Sequence, residues 1–391
     1  MTSPGPTSGL AAIKPQRLLS LDVVRGITIA FMIMVNNNGG PGSWGFMNHK
    51  EWNGLTPTDL VFPTFLFIVG VSTVFATEAR LAKGAAKGNL AKHMVIRSVV
   101  LILFGLVVNN FPFFHLAHMR FYGVLQRIAA CYLIVGLFYL ADKRVWSKVA
   151  LLIACLLGYW ALVTLVPVPG PGSKMLLPGR DVPLLDKDQN IVAWVDRQLM
   201  PGHLYEEFDT HNTRDPEGLL SDIPAVGTAL LGMITGIFLR SGGTVNRKAL
   251  GLAAGCLACL ALGYFWSIWF PLNKKMWTSS YVLVAAGYSL ALLTVVYWTV
   301  EVKNWRKGWT YPWIVFGSNA IAAYMVSELL PGILSLADGN RHSSFTGWFF
   351  QHVDAKIPDP GWAAFSWSVL FTAVCFVPVW ILYKKKIFLK A

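Results

Sequence analysis

The chain has 391 residues, of which 54% are hydrophobic and 14% are charged, and its mean hydropathy is +0.51. About a quarter of the residues in soluble domains are charged, so this composition excludes an ordinary soluble enzyme. The net charge of +13 does not indicate a nucleic-acid partner, because basic cytoplasmic loops produce the same excess in membrane proteins. We therefore predict an integral membrane protein surrounded by the lipid bilayer.

Residues 1–17 are rich in small and polar residues and lack the apolar core of a signal peptide. We expect a disordered cytoplasmic tail there and a single transmembrane domain over residues 18–386. Apolar runs in that domain are long enough to cross a bilayer core of roughly 30 Å, which predicts an all-α polytopic bundle. The ten predicted spans cover residues 19–36, 60–79, 95–114, 120–141, 147–167, 220–240, 249–269, 277–300, 311–334 and 361–383.

Positive charge is distributed unevenly between these spans. Every gap after an even-numbered span is basic, and such gaps contain Arg80, Arg247 and Lys248. Because Lys and Arg concentrate in cytoplasmic loops, both termini are predicted to be cytoplasmic. Lys274 and Lys275 lie in an odd-numbered gap and break the pattern, which makes them candidates for binding an anionic substrate at the outer side.

Three gaps on the outer side are long, at residues 37–59, 168–219 and 335–360. Loops of this length are usually either functional or disordered. Their content of Trp, Asn and His favours ordered loops that bind substrate.

The first long loop carries His49, ten residues before Asp59 at the start of the second span, while Asn36 ends the first span. A histidine can act as a base or a nucleophile near neutral pH. A nearby carboxylate can orient its ring, and an asparagine can donate to a developing oxyanion. We predict that the three side chains converge at one mouth of the membrane domain, although a loop histidine is also commonly a plain surface residue.

Charged residues within the spans are costly and therefore usually have a partner or a function. Asp22 and Arg25 are three residues apart on one helix face and are predicted to form a structural ion pair. Arg127 lies deeper in its span and requires a partner. Asn319 and Glu328 fall in one span and indicate a polar interior to the bundle.

The segment before the sixth span carries Asp215, Glu217 and Asp222. Its Asp-Pro-Glu-Gly sequence is a turn signal, and Ser221 or Asp222 can cap the following helix. The same acids at an outer mouth can also bind a protonated amino sugar. Both interpretations remain open from the sequence.

The five cysteines all lie in apolar runs. Cys256 and Cys259 form a C-x-x-C pair, a spacing that also occurs in redox and metal sites. Their apolar surroundings favour small buried thiols, and we expect no metal cofactor.

Six segments in this order resemble the heparan-alpha-glucosaminide N-acetyltransferase family: LSLDVVRGITIAFMIMVNN, NHKEWNGLTPTDLVFPTFLFIVG, GVLQRIAACYLIV, DPEGLLSDIPAVGTALLG, FPLNKKMWTSSYVLVAAGYSLALL and GSNAIAAYMVSELL. The likeness covers roughly residues 17 to 385. The block W-N-G-L-T-x-x-D-L-V-F-P is long and unusual, so it is far more specific than a short motif.

The resemblance implies a transmembrane acyltransferase that takes acetyl-CoA from the cytosol and acetylates the amine of a terminal glucosamine on the other side. The bacterial relatives of this family imply an inner-membrane location, and a homodimer is a family-level expectation. The family's site residues correspond to His49, Asp59, Asn36 and Asn319. Because no large domain precedes the first span here, we expect a small amino sugar as the substrate.

These considerations give a set of candidate site residues. His49, Asp59 and Asn36 are the predicted catalytic residues, with His49 either accepting the acetyl group or acting as a general base. The residues predicted to bind coenzyme A are Arg80, Arg127, Arg247, Lys248 and Asn319, and those predicted to bind the sugar are Trp52, Asn53, Asp215, Glu217, Lys274 and Glu328. The alternative functions are a proton-coupled amino-sugar transporter using His49 and Glu328 and a membrane scaffold.

Overall fold

The computed structural model describes residues 18–40, 42–170, 172, 174–205, 210, 212–337 and 356–389. The tail predicted at 1–17 and most of the loop predicted at 335–360 lie outside these ranges. Within them the helices are α1 (Leu19–Asn36), α2 (Val61–Leu81), α3 (Lys87–Asn110), α4 (Val124–Ala141), α5 (Val145–Leu165), α6 (Ile191–Leu199), α7 (Asp222–Arg240), α8 (Val245–Trp266), α9 (Ser279–Tyr297), α10 (Tyr311–Ser318), α11 (Ala320–Ala337) and α12 (Pro360–Lys384).

Among the described residues, nine helical segments are long and apolar enough to cross a membrane, and the bent pair α10–α11 makes a tenth if counted as one span. The predicted all-α polytopic fold is therefore confirmed. The third span begins at Lys87, eight residues earlier than predicted. The long outer segment between α5 and α7 holds α6 and a two-stranded antiparallel ribbon, Val168–Pro169 with Met175–Leu176.

The spans divide into an inner group and a peripheral group. In α1, α2, α7 and α9, 67% to 72% of the residues of the most apolar window are buried by the protein, against 17% to 28% in α3, α5, α8 and α12. A helix that is apolar on all sides and only slightly covered by protein faces lipid. The peripheral group therefore forms the lipid-facing shell, and the inner group contributes the core of the bundle.

Glycines let two of the inner helices touch backbone to backbone. A Cβ on Gly70 of α2 would lie 2.0 Å from the carbonyl oxygen of Ala229, and one on Gly232 of α7 would lie 1.9 Å from that of Phe67. Small residues at both positions permit this close approach, as is usual for membrane helices. The approach fixes α2, which carries Asp59 at its outer entrance, against α7.

The ninth predicted span is broken rather than straight, since α10 and α11 meet at 75° around Asn319. Arg25 donates to the carbonyl oxygen of Gly317 at 3.1 Å, next to the break, and its predicted ion pair with Asp22 is confirmed at 3.3 Å. The break frees backbone groups inside the membrane, and such groups require partners. The sequence did not reveal this break, because the apolar run continues through it.

Arg127 has the partner that its depth in the bundle requires. Its Nε donates to Asp222 Oδ1 at 2.7 Å, and its Nη2 donates to the Gly218 carbonyl oxygen at 3.1 Å and to the Ser221 hydroxyl. The guanidinium also lies 4.9 Å from the centre of the Trp277 ring. Neither Ser221 nor Asp222 caps α7 with its side chain, so the predicted cap is wrong: the Asp222 carboxylate pairs with Arg127 instead.

We expect Arg127→Met to destabilise the protein by about 3–5 kcal/mol, because Asp222 would be left as a largely buried charge without its partner. The matched control is Arg144→Met, since Arg144 forms an ion pair with Asp142 but is 69% exposed. Exposed pairs contribute about 0–1 kcal/mol. Thermal unfolding of both variants in detergent measures the difference, and equal melting temperatures for the two would contradict the structural role of Arg127.

Candidate active site

His49 and Asp59 form a hydrogen-bonded pair at the outer entrance to α2. The distance from His49 Nδ1 to Asp59 Oδ1 is 2.8 Å, and Asp59 is fully buried while the His49 side chain is 44% exposed. An ionised carboxylate accepts hydrogen bonds only, so Nδ1 carries the proton and Nε2 holds the lone pair. The pairing predicted from the sequence therefore leaves a reactive ring nitrogen on a half-exposed imidazole.

The Asp59 carboxylate is held on its other side as well. Its Oδ2 accepts the backbone N–H groups of Lys50 at 3.1 Å and Thr56 at 3.0 Å, and also the Thr56 hydroxyl at 3.0 Å. Thr56 and Asp59 form a capping box around the turn Pro57–Leu60. Because these bonds hold the Asp59 carboxylate in place, they also fix the orientation of the imidazole that is hydrogen-bonded to it.

A small polar network supports the chain immediately before His49. The Asn48 side-chain oxygen accepts from Asn38 at 2.7 Å and from the Ser43 hydroxyl at 3.0 Å. The Asn48 carbonyl oxygen lies 2.8 Å from the Thr56 hydroxyl, which shares its one proton between this oxygen and Asp59. Asn38 and Asn48 therefore position this loop.

Asn36 itself points to another partner. Its side-chain N–H donates to Glu328 Oε1 at 2.9 Å, which joins the end of α1 to α11. Its recorded side-chain bond thus goes to neither His49 nor Asp59. The structure brings two of the three predicted catalytic residues together and pairs the third with a predicted sugar-binding residue.

Lys274 reaches the site from the loop between α8 and α9. Its Nζ lies 3.2 Å from both ring nitrogens of His49. Partial burial and the Lys274 ammonium together hold the pKa of His49 below its ordinary value, against the opposing effect of the Asp59 and Glu217 carboxylates. The imidazole is therefore neutral over a wider pH range than a free histidine.

The predicted sugar-binding residues Trp52 and Asn53 hold loops together. The Trp52 indole N–H donates to the carbonyl oxygen of Leu185 at 2.7 Å, and the Asn53 side-chain oxygen accepts from Asn273 at 3.1 Å. These bonds join the His49 loop to the segment between α5 and α7 and to the loop between α8 and α9, so both residues shape the mouth of the site.

The acids of the Asp-Pro-Glu-Gly turn are bound by an arginine. Arg120 donates to Asp215 at 2.9 and 2.6 Å and to Glu217 at 2.6 Å. Sequence reasoning missed Arg120. A signal was available, because Arg120 lies in the loop between α3 and α4, an odd-numbered gap, and therefore breaks the charge pattern in the same way as Lys274 does.

A cavity of about 480 Å³ runs along α2. Its lining includes Phe62, three residues after Asp59, and Arg80 in the last turn of α2. These two residues are separated by roughly 27 Å of helix at about 1.5 Å per residue, so the cavity extends across most of a bilayer core. Its basic lining residues are Arg25, Arg80, His93, Arg97 and Arg240.

Of the residues predicted to bind coenzyme A, Arg80 lines this cavity, and Arg127, Arg247, Lys248 and Asn319 are not among its lining residues. Arg127 is engaged by the residues before α7, near the outer side. The Asn319 side chain donates to the carbonyl oxygen of Ile387 at 3.0 Å and accepts from the N–H of Leu389 at 3.0 Å. Asn319 therefore holds the C-terminal segment next to the cavity, which Leu389 lines.

Comparison with known proteins agrees with the motifs. Residues 17–175 match a family model described as heparan-alpha-glucosaminide N-acetyltransferase, catalytic. The chain is 30% identical to the heparan-alpha-glucosaminide N-acetyltransferases of Homo sapiens and of Mus musculus, over 96% of its own length. It spans 60% of the length of these two relatives. The resemblance predicted from the motifs is confirmed, and the chain is similar over nearly its whole length to heparan-alpha-glucosaminide N-acetyltransferases.

Proposed function

We propose that this protein is a membrane acetyltransferase that moves the acetyl group of cytosolic acetyl-CoA to the amine of a small glucosamine-type sugar on the extracytoplasmic side. The observation that carries the proposal is the cavity along α2, which runs from the basic residues around Arg80 to Phe62 at the start of α2, close in sequence to the His49–Asp59 pair. The similarity to named N-acetyltransferases supports the reaction class. The basic gaps in the sequence support cytoplasmic termini, here in a bacterial inner membrane.

The basic end of the cavity suits the phosphates of coenzyme A. Arginine recognises phosphate through charge-assisted hydrogen bonds. Arg97 Nε is buried and has no hydrogen-bond partner among the described residues, while its guanidinium lies 4.7 Å from the centre of the Tyr132 ring. A buried donor that is left without an acceptor is costly, so Arg97 is suited to bind an anionic ligand. The cavity volume lies within the range typical of ligand pockets.

The apolar remainder of the cavity suits the pantetheine arm, which would bring the thioester up to Phe62. From there the acetyl carbon has to reach His49 Nε2, whose lone pair is free of the Asp59 bond. If His49 is the nucleophile, an N–C bond forms, the C–S bond breaks, and the thiolate leaves and takes up a proton; the sugar amine then attacks the acetyl carbon, the bond to His49 breaks, and the amine loses a proton. If His49 is the base, it removes a proton from the sugar amine as that amine attacks the acetyl carbon; the C–S bond breaks, and the leaving thiolate takes up that proton from the imidazolium.

In both routes Asp59 orients the ring and stabilises the imidazolium that forms. The sugar approaches from the outer side, where the His49 side chain is exposed. Trp52, Asn53, Asp215, Glu217, Lys274 and Glu328 stay predictions as sugar-binding residues, as do Asn36 as a catalytic residue and the homodimer.

We expect His49→Ala to lower kcat for CoA release by about 10²–10⁴-fold, the usual contribution of a positioned acid–base group. Asp59→Asn should act in the same direction, because an amide does not stabilise the imidazolium. The measurement is CoA release by the purified protein with acetyl-CoA and glucosamine. His118→Ala, a change of the same type on another outer loop, is the control. Full activity in His49→Ala would refute the assignment, and sugar uptake into vesicles without CoA release would favour a transporter.

The two routes differ in one measurable species. Protein incubated with acetyl-labelled acetyl-CoA in the absence of sugar should carry the label if His49 accepts the acetyl group, and His49→Ala should abolish it. A protein that never carries label but releases CoA when sugar is added acts through the direct route.

We expect Arg97→Gln to raise KM for acetyl-CoA about tenfold or more, since a hydrogen bond to a charged group is worth about 1.5–3 kcal/mol. KM for the sugar should stay unchanged, because Arg97 lies on α3 near the basic end of the cavity. Arg247→Gln is the matched control, since Arg247 is not a lining residue. A rise of equal size in both variants would show that general positive charge, and not this cavity, attracts coenzyme A.

A further inference from the structure

The position of Lys274 raises a question that the His49–Asp59 pair alone does not answer. A carboxylate 2.8 Å from an imidazole favours the protonated ring. A protonated imidazole has no lone pair and can neither attack a thioester nor accept a proton. The partial burial of the ring opposes this effect of Asp59, and a nearby cation would oppose it further.

Lys274 is the cation in position to do so. Its Nζ lies 3.2 Å from Nδ1 and 3.2 Å from Nε2 of His49. Among the described residues, the charged groups that act on His49 are Asp59 and Glu217, which favour its protonation, and Lys274, which disfavours it. Lys274 is thus the cation that directly opposes the two carboxylates at this ring.

The loop that carries Lys274 is built to hold it there. The N–H of Trp277 donates to the Lys274 carbonyl oxygen at 3.0 Å, and Trp277 has φ of 53°. A positive φ is strained for a bulky residue. The strain is offset by the complete burial of the Trp277 ring, whose centroid lies 5.0 Å from that of Phe62. The N–H of Gly54 donates to the Leu272 carbonyl oxygen at 2.8 Å and joins this loop to the His49 loop.

The pKa of Lys274 itself depends on burial and on the neighbouring charges. Burial lowers its pKa, and so do Lys275 and Arg127, whereas Glu217 and Asp59 raise it; burial prevails and the pKa of Lys274 falls below its ordinary value. The charges of Asp59, His49 and Lys274 therefore act on one another.

We propose that Lys274 is a positioning residue of this site, whose ammonium opposes the charge of Asp59 and so keeps the His49 imidazole neutral and able to react. The inference rests on the proposed function for its catalytic consequence, but the charge state of His49 can be measured without any turnover. In this role Lys274 acts through His49 and need not touch the sugar, unlike the anionic-substrate contact predicted from the sequence.

The experiment measures how fast diethyl pyrocarbonate modifies His49 at a series of pH values, with mass spectrometry identifying the labelled residue. The reagent reacts with the neutral imidazole only, so the rate reports the fraction of neutral His49. The variants are Lys274→Met, Lys274→Gln and the charge-retaining Lys274→Arg. Lys275→Met removes an equal charge from the neighbouring position and is the matched control.

In Lys274→Met and Lys274→Gln, only the partial burial of the ring would oppose Asp59 and Glu217, so the midpoint of the modification curve should move to higher pH by about one unit. Lys274→Arg and Lys275→Met should keep the midpoint of the unmodified sequence. An unmoved midpoint in both neutral variants would overturn the proposal. Two neutral variants are used so that one misfolded protein does not decide the result.

The pH profile of kcat/KM for CoA release tests the catalytic consequence of the proposal. Its acid limb should shift to higher pH in the neutral Lys274 variants by the same amount as the modification midpoint, whereas loss of a merely structural lysine would lower activity equally at all pH values. If the protein releases no CoA at all, the proposed function fails while the modification curve still tests Lys274. If CoA is released and neither curve moves, the inference about Lys274 fails while the proposed function stands.

Discussion

The Asp59 carboxylate is a charge buried at the edge of a membrane, and the outer half of the protein is organised around it. Such a charge is tolerated only if its oxygens receive hydrogen bonds, and here the donors come from His49, Lys50 and Thr56. The Asp59 carbonyl oxygen also accepts from Tyr281 at 2.6 Å, which ties it to α9. The bonds that make the burial tolerable are the same bonds that orient the imidazole.

Similar pairing explains why the outer loops contain so many charged and aromatic residues. Arg120 in the loop between α3 and α4 holds Asp215 and Glu217, and Arg127 in the first turn of α4 holds Asp222 at the start of α7. The loops are therefore ordered by internal ion pairs and hydrogen bonds. In the folded protein Arg120 binds both acids of the Asp-Pro-Glu-Gly turn, and the charge of Glu217 acts on His49.

The reaction proposed here requires two substrates that approach from opposite sides, and the bundle offers one feature for each. The cavity along α2 begins among arginines and ends near Phe62, while His49 is exposed at the outer surface. The break at Asn319 adds to this arrangement, because it places Gly317 and Ser318 on the cavity wall and lets the Asn319 side chain hold the C-terminal segment. Acetyl transfer across the membrane then needs no movement of the sugar through the protein.

By itself the sequence determined the membrane spans, the positions of the basic gaps, the Asp22–Arg25 pair and the His49–Asp59 pair. These features depend on apolar run length or on residues at most ten positions apart, joined by one helix or one short loop. Only the tertiary structure decided that Lys274 meets His49, that Asn36 meets Glu328 and that Arg127 meets Asp222, pairs separated by 225, 292 and 95 residues. The physical reason is that such contacts depend on which helices become neighbours in the bundle, and the nearly uniform apolar surface of membrane helices carries little information about that choice.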